Sequence, residues 1–153
     1  MDSTEAITVA PLAEGDFEDW EPLWRGYLTF YEAEVAPEHY RLTFGRLTGG
    51  GAPMGGFVAR DGGGAAVGIV HWITHPSCWT AGDYCYLQDL FVAEGGRGSG
   101  TGRALIEAVY AKARERGCAR VYWLTHESNA AAMRLYDKVA ERSGFVQYRK
   151  LLG

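Results

Sequence analysis

Hydrophobic residues recur along the chain at two different spacings, which predict helices and strands in alternation. Apolar positions three and four residues apart predict helices beginning near Asp16, Glu38, Thr101 and Asn129. Short runs rich in β-branched and aromatic residues predict strands at 7–12, 57–60, 65–74, 84–92, 121–124 and 145–151. The order β, α, α, β, β, β, α, β, α, β predicts an α/β protein with a mixed sheet. The strand–helix–strand unit at 84–124 implies a parallel pair in that sheet.

One polar, glycine-rich stretch interrupts this pattern between a buried strand and a helix. Residues 95–102 read GGRGSGTG and contain no apolar side chain. A glycine-rich turn that opens a helix collects unpaired backbone N–H groups at the positive end of the helix dipole. Glycine is needed because a side chain would keep a bound group away from those amides. The stretch therefore predicts an anion site, with a phosphate ester as its ligand.

Two common phosphate-binding motifs do not fit this stretch. The P-loop pattern requires a lysine after its last glycine, and none follows Gly100 or Gly102. The dinucleotide-binding pattern GxGxxG would place its third glycine at position 103, which is Arg103. A nucleotide triphosphatase and a nicotinamide-binding domain are therefore disfavoured.

Composition and charge narrow the class of protein further. The 153 residues carry 47% apolar side chains and a net charge of −4, which predicts one globular domain over 1–153 and disfavours nucleic-acid binding. The three cysteines lack metal-binding or disulfide spacing, so reduced thiols in the cytoplasm are expected. The start MDSTEAITV has no signal-peptide pattern, and no membrane-spanning run is present. The four histidines show no ligand spacing, and no metal site is expected.

Three motifs together resemble the GNAT superfamily of N-acetyltransferases. The stretch Arg97-x-x-Gly100-x-Gly102 matches the acetyl-CoA signature Q/R-x-x-G-x-G/A of that family. The residues from Asn129 to Tyr136 resemble its second motif. The stretch from Tyr86 to Val92 resembles the YLEDLFV strand of spermidine/spermine acetyltransferases. Over residues 17–151 the chain resembles the fungal histone/polyamine acetyltransferase branch and its bacterial relatives. The segments that carry this likeness are HWITHPSCW, YLQDLFV, VYWLTHESN and YDKVAERSGF.

The resemblance implies a fold, a cosubstrate and a reaction. The family fold is a mixed sheet of six or seven strands, split between two central parallel strands, with helices on both faces. Acetyl-CoA is the implied cosubstrate, and the implied reaction is direct acetyl transfer to a primary amine in a ternary complex. Relatives commonly form homodimers or larger assemblies, often through C-terminal elements such as residues 145–151. The alternative is a protein of the same fold that holds CoA as a sensor without turnover.

The resemblance also assigns cofactor-binding residues. The loop that would hold the CoA diphosphate through its backbone comprises Gly98, Ser99, Gly100, Thr101, Gly102 and Arg103. Arg97 and Arg103 either add positive charge there or are solvated loop arginines. The backbone of Leu90, Phe91 and Val92 would pair with the pantetheine arm as an added strand would. Asn129 caps the last helix, contacts the cofactor, or does both.

Tyr136 is the candidate general acid. Asn129 and Tyr136 are two helical turns apart, so they share one helix face about 10 Å apart along it. A phenol of pKa ~10 can protonate a departing thiolate of pKa ~8–9. The alternative is that Tyr136 is a packed aromatic residue of the core.

The sequence identifies the general base less clearly than the general acid. The polyamine enzymes carry glutamate at the position of Gln88, and an amide cannot accept a proton from the amine. Strand alternation points the neighbouring Asp89 to the opposite face from Gln88. Either Asp89, Glu127 or Glu34 acts through water, or the amine enters already neutral.

The first two helices and the loop at 75–82 are the candidate acceptor-binding region. The side chains that could form an aromatic and acidic wall for a cation are Trp24, Tyr27, Tyr31, Glu32 and Glu34. The alternative is that the aromatic side chains face the core and the glutamates face water, because aromatic residues at helical spacing are the ordinary core pattern.

Overall fold

The computed structural model describes residues 6–153, and residues 1–5 of the N-terminal segment considered above lie outside the described residues. The helices and strands follow the predicted order as far as the last helix. Their bounds are β1 Thr8–Pro11, α1 Phe17–Phe30, α2 Pro37–Thr48, β2 Met54–Arg60, β3 Ala66–His75, β4 Tyr84–Val92, α3 Thr101–Glu115, β5 Arg120–Tyr122 and α4 Ala130–Val139.

The strands form one mixed sheet in the order β1-β2-β3-β4-β5. All neighbours are antiparallel except β4 and β5, which confirms the predicted parallel pair. β1 lies at the edge, where Pro11 needs no N–H donor. The prediction of six or seven strands is wrong, since residues 6–153 form five.

The predicted strand at 145–151 accounts for the difference. These residues form no regular secondary structure, and Phe145 and Tyr148 are 77% and 92% exposed. A strand persists only where its N–H and C=O groups find partners on a neighbouring strand. Within residues 6–153 this segment pairs with no strand, so its strand-like sequence pattern does not produce a strand there.

Each face of the sheet is covered by helices, as predicted. α3 covers one face, and the fully buried residues it contributes are Leu105, Ile106 and Val109. α1 and α2 cover the other face, and their buried residues are Trp20, Leu23, Trp24, Leu28, Tyr40, Phe44 and Leu47. α4 packs on the α3 side through Leu135, Tyr136 and Val139. The sheet is therefore enclosed between two apolar cores.

The sheet is split beside β4. β5 pairs with β4 through Tyr84–Tyr86, and the remaining residues of β4 in the described chain have no strand on that side. A β-bulge also interrupts the β3–β4 ladder, because His71 pairs with Asp89 while Trp72 pairs with Leu87. The split and the bulge lie in the same half of β4, and the candidate site is built around them.

Candidate active site

The glycine-rich loop leaves β4 and opens α3. Gly98 and Gly100 have φ of +82° and +81°, in the left-handed region where other residues are strained. Gly100 is the N-cap residue of α3. A β-carbon at either glycine would meet nothing within 4 Å, so these positions require glycine for backbone conformation and not for space. The outer surface of the loop is consequently open to a ligand.

Two hydroxyl groups brace this loop from inside. The Ser99 and Thr101 hydroxyls donate to the Gly96 carbonyl at 2.6 and 3.0 Å, and they lie 2.8 Å from each other. The Thr101 side chain is buried, so it faces away from any ligand on the outer surface. Of the predicted cofactor residues, these two can therefore contribute their backbone N–H groups, while their side chains hold the loop's shape.

The two arginines of the motif lie in different surroundings. Arg97 Nε donates to the Val92 carbonyl at 3.2 Å, which ties the loop back to the end of β4. Arg103 lies on the exposed side of α3, with its Nε 3.8 Å from a carboxylate oxygen of Glu107. Arg97 is therefore the better placed of the two to add positive charge where β4 meets the loop.

The predicted pantetheine-binding residues lie along the unpaired side of β4. Leu90 and Val92 pack against the α3 core, whereas Phe91 packs against the α1 core. Their side chains are thus ordinary core contacts, as expected if only their backbone serves the cofactor. Gly102 brings α3 and α4 together beside this strand, because a β-carbon there would lie 3.3 Å from Leu135 and 3.9 Å from Val92.

α4 presents the predicted acid near the split in the sheet. Asn129 caps this helix by accepting from Ala132 N at 3.4 Å, which confirms its capping role. The Tyr136 ring packs edge-on against Trp123 with 5.4 Å between ring centroids. Burial and the nearby Tyr31 phenol raise the pKa of Tyr136, so its hydroxyl stays protonated at neutral pH. Tyr136 is therefore both a packed aromatic residue and a protonated phenol.

The Asp89 carboxylate lies on the other side of the split. Its Oδ2 is 2.9 Å from His71 Nδ1, and its side chain is 12% exposed. Burial and then the charge of Asp89 raise the pKa values of Tyr27, Tyr31 and Tyr86. The Tyr27 and Tyr31 rings lie 5.0 Å apart between centroids, and Tyr31 also contributes to the raised pKa of Tyr136.

The β-bulge corrects the expectation that strict alternation orients Asp89. Leu87 and Leu90, three residues apart, both pack against the α3 core. Alternation would place them on opposite faces, but Gln88 has no partner on β3 and occupies the bulge. The bulge therefore turns Asp89 toward α1, and a sequence pattern of period two cannot reveal this.

The remaining predicted acceptor residues do not join this cluster. Trp24 is 9% exposed and stacks between Trp20 and Tyr27, so it belongs to the core, as the alternative interpretation held. Glu34 is exposed in the connection between α1 and α2, and Glu127 is exposed ahead of α4. Among the three carboxylates considered as bases, Asp89 is the one held inside the cluster.

Sequence reasoning missed His71 and Tyr86. His71 was considered only as a metal ligand, yet it is 2% exposed and bonded to Asp89. The sequence does indicate a role for His71. It is a lone histidine inside the apolar strand AVGIVHWIT, and a buried histidine needs hydrogen-bond partners. Tyr86 stacks on Tyr122 at 5.0 Å, a cross-strand contact that depends on the β4–β5 register.

Two of the three cysteines are poor nucleophiles. Cys85 is fully buried, and burial raises its pKa from 9.0 to about 12. Burial likewise raises the pKa of Cys118. A thiol acyl intermediate needs an accessible thiolate, which neither of these side chains provides.

Across 6–153, no group of three or more His, Cys, Asp and Glu side chains is arranged to hold a metal ion. None of the helices in that range has the length and apolar character needed to cross a bilayer.

The split sheet, the glycine loop and the flanking helices define an acetyltransferase. Residues 18–140 match the model of the Acetyltransferase (GNAT) family, and the chain belongs to that family of enzymes. Over 147 residues it is 36% identical to the D-amino-acid N-acetyltransferase HPA3 of Saccharomyces cerevisiae, covering 95% of this chain and 91% of that protein.

Solved structures agree with this fold. The ribosomal-protein-alanine N-acetyltransferase of Brucella melitensis biovar Abortus 2308 superposes with a TM-score of 0.81 at 22% identity, covering 96% of this chain and 100% of that one. AAC(6')-Iy, solved with a bisubstrate analogue of CoA, gives a TM-score of 0.83 at 17% identity, with 96% and 99% covered. The predicted GNAT fold is therefore confirmed.

Proposed function

We propose that this enzyme transfers an acetyl group from acetyl-CoA to a primary amine within a ternary complex. The observation that carries the proposal is the presence beside the split sheet of a largely buried carboxylate, Asp89, and a protonated phenol, Tyr136. The helix that carries Tyr136 meets the glycine loop at Gly102, where a β-carbon would lie 3.3 Å from Leu135. An anion-binding loop, a place for an ammonium group and a proton donor are the three parts that the reaction needs.

The donor binds along β4 and the loop in this proposal. The N–H groups of residues 98–103 hold the diphosphate, with Arg97 beside them. The pantetheine arm pairs with the backbone of Leu90, Phe91 and Val92, because β5 leaves that side of β4 unpaired. One of these amides polarises the thioester carbonyl. Asn129 contacts the cofactor from the start of α4 in addition to capping it.

The chemical step replaces a C–S bond with a C–N bond. The bound ammonium group first gives one proton to water or, through water, to Asp89. The neutral amine nitrogen then attacks the thioester carbonyl carbon, the C–S bond breaks as the C–N bond forms, and the nitrogen loses its second proton to solvent. The departing sulfur takes a proton from the Tyr136 hydroxyl, and the phenolate regains one from solvent. The products are an N-acetylated amine and free CoA.

The acceptor belongs to the class of small amines, polyamines, amino acids and protein lysines. The D-amino-acid N-acetyltransferase HPA3 makes amino acids the first acceptors to test. The cluster of Asp89 with Tyr27 and Tyr31 supports a cationic acceptor, because ionised carboxylates and aromatic faces both attract ammonium groups. Glu34 belongs to this proposal only as an outer, exposed charge.

We further propose a cytoplasmic homodimer in which 1–153 forms one acetyltransferase domain. The extended C-terminal segment supports the dimer, because its Phe145, Tyr148 and Leu152 are 77%, 92% and 93% exposed. β5 is an edge strand that could pair with such a segment from a second copy. Light scattering on the full chain should give twice the mass of one 16.8 kDa chain, and a monomer at micromolar concentration would refute this.

Steady-state kinetics with two varied substrates tests the proposed reaction. The panel contains D- and L-amino acids, spermidine, an aminoglycoside and a lysine-rich peptide, with CoA thiol release as the signal. Intersecting double-reciprocal lines are expected for a ternary complex. Parallel lines would refute direct transfer, and tight CoA binding with no thiol release for any amine would favour a CoA sensor.

A further inference from the structure

The Asp89 carboxylate is held by a histidine on the neighbouring strand. His71 and Asp89 are directly opposed in the β3–β4 ladder, and His71 Nδ1 lies 2.9 Å from Asp89 Oδ2. The His71 side chain is 3% exposed and that of Asp89 12%. This bond spans two strands at the bulge, so it fixes the carboxylate relative to the sheet and not merely to its own strand.

A second hydrogen bond fixes the proton on this histidine. Trp20 Nε1 donates to His71 Nε2 at 3.0 Å, and Trp20 is completely buried. An indole N–H is only a donor, so Nε2 of His71 must be an acceptor. The ring proton is therefore on Nδ1, where it is donated to Asp89. With both nitrogens engaged in this way, His71 is neutral and does not serve as the base.

A phenol also reaches the Asp89 carboxylate. Oδ2 is bonded to His71, and the Tyr27 hydroxyl lies within hydrogen-bonding reach of the carboxylate. Burial and the charge of Asp89 raise the pKa values of Tyr27, Tyr31 and Tyr86. Tyr27 and Tyr31 come from α1, Tyr86 from β4 and His71 from β3. These are the titratable groups that face the carboxylate from the elements packed around it.

We propose that His71, fixed by Trp20, is a positioning residue that aims Asp89 at the ammonium group of the acceptor. The acceptor site is then a single oriented carboxylate ringed by tyrosines, which suits one primary ammonium group. This inference rests on the proposed function. It predicts that breaking the His71–Asp89 bond weakens the amine and leaves acetyl-CoA binding unchanged.

Two substitutions of His71 separate its two hydrogen bonds. Asparagine places an amide N–H2 near the position of Nδ1, so His71→Asn can keep the donor to Asp89. Glutamine places its amide near the position of Nε2, so His71→Gln can keep the acceptor for Trp20 and lose the donor to Asp89. Both variants change the same buried side chain, so they differ mainly in which of the two hydrogen bonds they keep.

The measurements are the KM of the amine and of acetyl-CoA, together with the melting temperature. A hydrogen bond to a charged group is strong enough that its loss in His71→Gln should raise the amine KM about tenfold or more. The KM for acetyl-CoA should change by less than about twofold, since the cofactor site is intact, and His71→Asn should stay within about threefold of the parent for both substrates. Equal amine KM values in the two variants, or equal changes for both substrates, would overturn the inference.

A second pair of variants tests the hydrogen bond from Trp20. Trp20→Phe removes the donor to Nε2, so the tautomer with its proton on Nδ1 is no longer enforced, and the amine KM should rise as in His71→Gln. Trp24→Phe removes an indole from the same aromatic stack and keeps this hydrogen bond, so its amine KM should stay closer to that of the parent. Equal amine KM values in Trp20→Phe and Trp24→Phe would contradict the proposal.

Binding measurements distinguish this inference from the proposed function. Calorimetry of D-phenylalanine with the CoA complex reports amine binding whether or not turnover occurs. A parent protein that binds D-phenylalanine but transfers nothing would refute the proposed reaction. The difference in D-phenylalanine affinity between His71→Gln and His71→Asn would still test the inference about His71. Absence of binding by every amine in the panel would overturn both.

Discussion

Gly26 on α1 lies directly against the ring of Phe91 on β4, where a β-carbon would come within 2.9 Å of Phe91 Cζ. This close approach sets the distance between α1, which carries Tyr27 and Tyr31, and the strand that carries Asp89. The acceptor side of the site therefore depends on a helix position with no side chain.

Gly26→Ala should destabilise the protein and raise the KM of the amine. The added methyl must displace the Phe91 ring or α1, and we expect a loss of about 1–2 kcal/mol after the gain in helix propensity is subtracted. Gly45→Ala on α2 is the matched control, because nothing lies within 4 Å of its β-carbon. That variant should be stabilised, as measured by urea unfolding. A Gly26→Ala protein as stable as Gly45→Ala would show that the approach is not tight.

Gly100→Glu should weaken acetyl-CoA binding severely. The substitution brings a negative side chain to the open surface of the loop, where it repels the diphosphate and covers the amides, and a loss of about 100-fold is expected for a disrupted charge-assisted site. Gly64 in the β2–β3 turn has a similar φ of +89° and equally open space. Gly64→Glu therefore carries similar backbone strain at a position outside the loop. Calorimetry that finds equal affinities in the two variants would rule out the diphosphate assignment.

Tyr136→Phe should lower kcat by about 100-fold, the usual contribution of a general acid, with little change in the KM of acetyl-CoA. Because the pKa of Tyr136 is raised, the phenol remains an acid as the pH rises, and kcat of the parent should show no loss from its deprotonation below pH ~10. Tyr110→Phe is the control. Its hydroxyl donates to the Val139 carbonyl at 2.7 Å, so its removal should lower stability and leave kcat unchanged. Equal kcat values in Tyr136→Phe and the parent would remove Tyr136 from the mechanism.

Stability should fall as the pH rises from 9 toward 12. The pKa of Cys85 is raised from 9.0 to about 12 in the folded chain, so the unfolded chain binds fewer protons across this interval. Fewer protons in the unfolded state mean that the free energy of unfolding decreases with pH. Cys85→Ala should make this decline shallower, whereas Cys78→Ala, at an exposed position, should leave it unchanged. Urea unfolding between pH 8 and 11 measures it, and stability that rises with pH would contradict the assignment.

Most of the fold can be predicted from the sequence because most helices and strands are indicated by local residue patterns. The start of the helix at Thr101 and the cap at Asn129 each follow from a few neighbouring residues, and the structure agrees with them. The strand at 145–151 fails for the opposite reason. Its apolar pattern indicates strand propensity, but a strand also needs a partner edge, and that partner is not a property of the segment.

The same distinction between local and long-range features applies to the site. The glycine loop, Tyr136 and Asn129 belong to contiguous motifs and could be identified from the sequence. The link between His71 and Asp89 depends on pairing across 18 residues and on a bulge at Gln88, which breaks the period-two pattern. Asp16 shows the same limit: it is the N-cap residue of α1, where a helix is predicted to begin, but its carboxylate accepts from Ala13 N and pairs with Arg60.

The account rests on acetyl transfer from CoA to an amine nitrogen, and mass spectrometry with isotopically labelled acetyl-CoA tests this most directly. The full chain is incubated with the labelled donor and a D-amino acid, and the masses of the product and of the protein are measured. We predict one labelled acetyl group on the amine nitrogen for each CoA thiol released, and none on the protein. Labelled acetyl retained on a cysteine, or CoA released without an acetylated amine for every member of the panel, would contradict the proposed direct transfer.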